Sequence, residues 1–97
     1  MKDPVRLRPA EAVDYDRIIG VMDDWWGRSI QAALPRLFLD HFHETSLVAE
    51  HEGDLAGFLV GLLSPRAGQD AYIHFVGVAP ALRGSGVARR LYLAFHR

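Results

Sequence analysis

The chain has 97 residues, the length of one small domain, with a net charge of −1 and no cysteine. Near-neutrality gives no long-range pull toward nucleic acid or anionic membrane, and the lack of cysteine excludes disulfides and thiolate metal sites. No apolar run approaches the roughly 18–20 residues of a membrane span and the first residues carry no signal-peptide pattern, so a cytoplasmic protein is expected.

Val5-Arg6-Leu7-Arg8 alternates apolar and polar and predicts a short half-buried strand, closed by Pro9. Glu11 to Trp26 predicts the first helix. Val13 or Tyr15, Ile18, Ile19, Met22, Trp25 and Trp26 form its apolar stripe, and Asp14 and Asp16 lie in its early turns, where negative charge suits the dipole. Gly27 ends it, a usual place for glycine. Two adjacent tryptophans cannot both face the core from one helix. Either one is buried while the other lines a pocket, or both are packing at a helix end.

Pro35 to about His43 predicts a short second helix with Leu34, Leu37, Phe38, His41 and Phe42 on its apolar side. His41 and His43 are two residues apart and do not share a helical face, so no metal site is expected. Ser46–His51 and Leu55–Leu63 flank Glu52-Gly53-Asp54 and predict a hairpin. Its second arm is almost continuously apolar, as in a central strand covered on both faces. Ser64 to Asp70, with Pro65 and Gly68, reads as a loop.

Tyr72–Val78 is rich in β-branched and aromatic residues and stops at Ala79-Pro80, since proline cannot donate to a ladder. Period-two alternation puts Tyr72, His74, Val76 and Val78 on one face. Arg83-Gly84-Ser85-Gly86-Val87-Ala88 then opens a helix whose apolar positions are Val87, Ala88, Leu91, Ala94 and Phe95. The first N–H groups of a helix lack intrahelical partners and carry partial positive charge. Glycines let the backbone approach a bulky anion, and Arg83 adds a fork of donors suited to phosphate. The stretch reads as a phosphate or pyrophosphate cradle. It has no Gly-Lys-Ser/Thr ending, so it is not a P-loop, and the chain ends before the acidic partner of a dinucleotide fingerprint.

The spacing Arg-x-x-Gly-x-Ala, as Arg83, Gly86 and Ala88 after Val76-Gly77-Val78-Ala79-Pro80, resembles the acetyl-CoA-binding motif of the GNAT N-acetyltransferase superfamily. The element order β-α-α-β-β-β-α extends the resemblance over the whole chain. The resemblance implies an α/β fold with a mostly antiparallel sheet and helices on both faces. Residues 1–97 would be a single domain that stops short of the family's usual C-terminal elements. It implies CoA pyrophosphate on Arg83, Gly84, Ser85, Gly86, Val87 and Ala88, and the pantetheine arm along Val76, Gly77 and Val78, paired like an added strand.

The implied reaction is acetyl transfer from acetyl-CoA to a small-molecule or peptide amine, with no metal. An amine attacks the thioester after losing a proton to a base, and a backbone N–H at Val76 or Gly77 holds the oxyanion. His74 is the expected base, with Tyr72 second. The other reading of His74 is a half-buried ring satisfied by a hydrogen bond. Trp25, Trp26 and Arg28, at the end of the first helix, border the acceptor site in this reading. The alternative function is a non-catalytic module that binds CoA or a protein partner. The strand Tyr72–Val78, if left at the sheet edge, would favour pairing with a second copy or a complementary chain.

Overall fold

In a computed structural model that describes residues 4–63 and 71–96, seven main elements follow the expected order. They are β1 (Arg6–Pro9), α1 (Asp14–Trp26), α2 (Leu37–Phe42), β2 (Leu47–His51), β3 (Asp54–Leu63), β4 (Ala71–Val78) and α3 (Val87–Phe95). The predicted Ser64–Asp70 loop lies outside the described residues. The strands form one antiparallel sheet in the order β1-β2-β3-β4, which leaves β4 at an edge among the described residues.

The β2–β3 turn is tighter than the three residues expected. His51 pairs with Asp54, so only Glu52 and Gly53 turn, at φ of 53° and 84°. Positive φ at both positions is the two-residue hairpin whose twist matches the strands. The apolar run of β3 is covered on both sides, as its pattern predicts. Phe58 and Val60 pack with Ile18, Met22, Leu34 and Leu39 beneath α1 and α2. Leu59 and Ala56 pack with Val87, Leu91 and Phe95 of α3 on the opposite face. Full burial of such side chains is worth about 1.5–3 kcal/mol each, so β3 anchors both layers.

Helix α1 begins at Asp14 and not at Glu11, and the reason is electrostatic. The Asp14 carboxylate accepts the Glu11 N–H at 2.8 Å and two guanidinium bonds from Arg8, both at 2.8 Å. Residues 11–13 are thereby held in a turn. Val13 is exposed, and Tyr15 takes the inward position, its hydroxyl donating to the Leu34 carbonyl at 2.9 Å. Gly27, at φ 73°, closes α1 with its N–H on the Asp23 carbonyl.

The strand β4 does not keep its alternation. Val60 faces Phe75 and Gly61 faces Ile73, so His74 is an extra residue, a β-bulge. Val76 and Val78 pack toward α3, whereas His74 stacks on Phe38 of α2 and Tyr72 bonds to His74. The expectation that Tyr72, His74, Val76 and Val78 share a face is corrected by that one inserted residue.

Candidate active site

The turn after β4 runs through Pro80–Leu82 in a 3₁₀ conformation, then Arg83 in extended backbone, and reaches α3 through Gly84 and Gly86 at φ of 84° and 91°. These two angles lie in the left-handed region, which explains glycine at both sites. A side chain at either position would meet open space, so the backbone is bare on its outer side. The Ser85 hydroxyl donates to the Leu82 carbonyl and helps fold the loop. No side chain caps α3, and its first helical bond runs from Arg90 N to Gly86 O at 3.1 Å. The N–H groups of Val87, Ala88 and Arg89 precede that bond and have no intrahelical acceptor.

Beside this loop lies a groove of about 460 Å³, walled by Trp25, Trp26, Val76, Gly77, Val78, Arg83, Ala88 and Tyr92. A hollow of about 300 Å³ over Gly84, Gly86 and Arg89 shares Val78, Arg83 and Ala88 with it. The pair is in the size range of small-molecule sites. The groove floor depends on Gly77. A Cβ there would come within 2.8 Å of Phe58 and 2.9 Å of Trp26. The absent side chain lets the Trp26 ring lie directly against the strand.

Both tryptophans are half-buried, so neither is the wholly buried partner of the first reading, and both pack at the helix end as the second has it. Trp25 stacks on Phe58 with centroids 5.8 Å apart, and Trp26 tilts on the same ring at 6.0 Å. Each therefore packs with one side and walls the groove with another. Phe58 serves as a common platform because it sits fully buried in β3, directly beneath the helix end.

The bare glycine loop and the uncapped helix start follow β4 in the order read from the sequence, and the groove lies beside them. The model of the Acetyltransferase (GNAT) family matches residues 12–95. The chain belongs to the GNAT acetyltransferase family.

Among relatives, the chain is similar to the L-2,4-diaminobutyric acid acetyltransferase of Vibrio parahaemolyticus serotype O3:K6, with 43% identity over 51 residues, 53% of this chain and 28% of the relative. It is also similar to the enzyme of that name from Virgibacillus pantothenticus, 39% over 57 residues, 59% of this chain and 36% of the relative. Its fold superimposes on diaminobutyrate acetyltransferase EctA from Paenibacillus lautus, solved with L-2,4-diaminobutyric acid and coenzyme A. The TM-score is 0.80 at 30% identity, over 98% of this chain and 57% of that one. N-acetylglutamate synthase from Neisseria gonorrhoeae shares the fold at a TM-score of 0.75, with 21% identity over 97% of this chain and 22% of that one. The chain thus spans about a third of the curated relatives it matches and over half of the solved diaminobutyrate acetyltransferase.

Within this GNAT chain, Arg83 is engaged. Its Nε donates to the Val78 carbonyl at 3.2 Å and its Nη2 to the Trp25 carbonyl at 2.6 Å. The guanidinium clips the end of β4 to the end of α1 across the groove. His74 is also fully engaged. Nε2 lies 2.7 Å from the Ala33 carbonyl and Nδ1 2.8 Å from the Tyr72 hydroxyl, while Phe38 stacks on the ring at 4.2 Å and 5°. Arg28 is exposed and stands outside the groove wall.

Three contributors were missed from sequence. Tyr92 is four residues after Ala88 on α3, and that helical spacing could have revealed it. Ala33 and Phe38, which hold His74, carry no local signal, because only the bulge brings that ring to them. Among the described residues no group of three His, Cys, Asp or Glu stands together as metal ligands would.

Proposed function

We propose that this chain carries the acetyl-CoA half of an N-acetyltransferase that acts on a small amine. Residues 1–97 would belong to a single acetyltransferase domain. The observation that carries the reading is the groove along Val76–Val78, which opens onto a loop of bare glycines and an uncapped helix start. The fit to acetyl-CoA is chemical. The N–H groups of Val87 and Ala88, with the Gly84–Gly86 backbone, offer donors to a pyrophosphate. The outer backbone of Val76, Gly77 and Val78 offers a strand-like partner to an amide-bearing arm. The Val78 carbonyl already accepts a bond from Arg83 on that side, so the guanidinium would exchange this carbonyl for phosphate oxygens.

The acceptor is a small amino acid with a free side-chain amine, of the kind that the diaminobutyrate acetyltransferases act on. It would reach the thioester between the Trp25–Arg28 end of α1 and the bulge of β4. The amine loses a proton to the Tyr72–His74 pair and attacks the carbonyl. A backbone N–H at Val76 or Gly77 holds the oxyanion, and the CoA thiolate departs, taking up the second amine proton. A cytoplasmic setting goes with a CoA-thioester substrate. The free side of β4 would pair with a further strand, from a second copy or from a complementary segment.

Calorimetry with CoA, and thiol release from acetyl-CoA on adding L-2,4-diaminobutyric acid, test the reading. Saturable CoA binding with amine-dependent thiol release is expected. CoA binding without turnover over a panel of amines would favour a non-catalytic module, and absence of both would overturn the assignment.

A further inference from the structure

The hydrogen bonds around His74 have a direction. A backbone carbonyl only accepts, so the Ala33 oxygen requires a proton on Nε2. In the neutral ring Nδ1 is then an acceptor, and the hydrogen between it and Tyr72 belongs to the phenol. Neither ring nitrogen has a free position for a substrate. The phenolic oxygen does, since Tyr72 is 50% exposed at the edge of the sheet and its oxygen retains acceptor capacity. Phe38 stacked on one side and Phe75 edge-on at 4.8 Å fix the plane of the ring. Among the described residues, no charged side chain bonds to either nitrogen.

We propose that Tyr72 is the group that takes the proton from the acceptor amine, and that His74 is a positioning residue that receives the Tyr72 proton in the same step. This rests on the acetyltransferase reading above and deepens it. The balance is simple. The substrate ammonium gives one proton to the Tyr72 oxygen while the Tyr72 proton moves to Nδ1 of His74. The products are a neutral amine, a neutral phenol and an imidazolium.

The imidazolium keeps both hydrogen bonds. Nε2–H stays on the Ala33 carbonyl, and Nδ1–H now donates to the phenol oxygen, so only the direction of one bond reverses. No heavy atom has to move, which is the condition for a proton transfer that costs little reorganisation. The bulge is what permits this. It places Tyr72 and His74 together on the α2 side of β4, while Val76 and Val78 remain on the α3 side.

Two measurements test the pair. Nitrogen-15 histidine spectra of the chain without ligands should show His74 as the Nε2–H tautomer, with Nδ1 shifted by the phenol and that shift lost in Tyr72→Phe. A protonated Nδ1 with a bare Nε2 would overturn the proposal. With acetyl-CoA and L-2,4-diaminobutyric acid, Tyr72→Phe should lower kcat by about 10²–10⁴-fold and leave the KM for acetyl-CoA unchanged. His74→Gln should cost a similar factor in the wild type and almost nothing further in Tyr72→Phe, because the histidine acts through the phenol. Equal costs of His74→Gln in both backgrounds would overturn the relay. Turnover unaffected by Tyr72→Phe would overturn the relay and leave the acetyltransferase reading standing. A wild type without turnover would overturn both.

Discussion

The two ends of α1 use charge in opposite ways. At its start, Arg8, Asp14, Arg17 and Glu50 form a closed set. Arg8 reaches Asp14 and Glu50, and Arg17 reaches Glu50 at 2.8 Å. Asp14 is almost wholly buried, and these ion pairs tie β1, α1 and β2 together. At its end, near β4, the backbone groups at the start of α3 have no intrahelical partner and the glycines face open space. One end has its polar groups satisfied from within, and the other holds them for something that arrives. A paired, buried carboxylate makes stability, whereas uncapped amides beside a groove make binding.

Gly77→Val should have the largest effect, because it damages both properties at once. The new side chain would overlap the Phe58 and Trp26 rings, which already pack against each other, with a loss of about 3 kcal/mol in stability. Urea melts would show it, and a melt unchanged within error would mean that the Trp26 wall gives way easily. Asp14→Asn comes next, at about 2 kcal/mol near neutral pH, for a charged hydrogen-bond set broken in a buried place.

The pH dependence sharpens the first half of the comparison. The Arg8 bonds hold the Asp14 carboxyl below its usual range against the opposing effect of burial, and the Arg8 and Arg17 bonds do the same for Glu50. A carboxylate with a lowered folded pKa contributes stability that is complete above its unfolded value, near 4, and lost as pH falls through the folded value. The gap between wild type and Asp14→Asn should therefore be full at about pH 6 and close below about pH 4. A gap that stayed constant into acid would show that the side chain acts by shape and not by charge.

Gly86→Val tests the other half. A β-branched residue at φ 91° should cost about 1–2 kcal/mol by backbone strain, and CoA affinity should fall about tenfold or more beyond that, by calorimetry. Equal CoA affinity in the variant would remove the loop from the binding site. The smallest effect belongs to Arg28→Ala. It stands exposed outside the groove wall, so stability should change by less than about 0.5 kcal/mol, and any effect should appear only in the KM for the amine.

What could be read from the sequence divides along physical lines. The loop at Arg83–Ala88 was legible because it needs a local chemistry: left-handed backbone supplied by glycine, then helix periodicity. The two-sided burial of β3 was legible for the same kind of reason. The bulge in β4 was not, because Ile73, His74, Phe75 and Val76 all tolerate either face of a sheet, and alternation cannot be read where every residue fits both sides. The tryptophan pair divides between its two readings, because a single ring in β3 supports both indoles while each also walls the groove. The late start of α1 depends on a partner outside the helix, since the Asp14 side chain is turned back by Arg8.

The inserted residue in β4 gives the strand two halves of opposite parity. Residues before it count faces one way, and residues after it count them the other way. Taking out His74 would therefore leave Ile73 opposite Gly61 and Phe75 opposite Val60, and the strand would return to plain alternation with Tyr72, Val76 and Val78 on the faces they hold now. What would be lost is the ring stacked on Phe38 and its bond to Tyr72. The bulge is thus a place where β4 can lose a residue without turning the rest of the strand over, and a one-residue deletion at His74 should cost function more than fold.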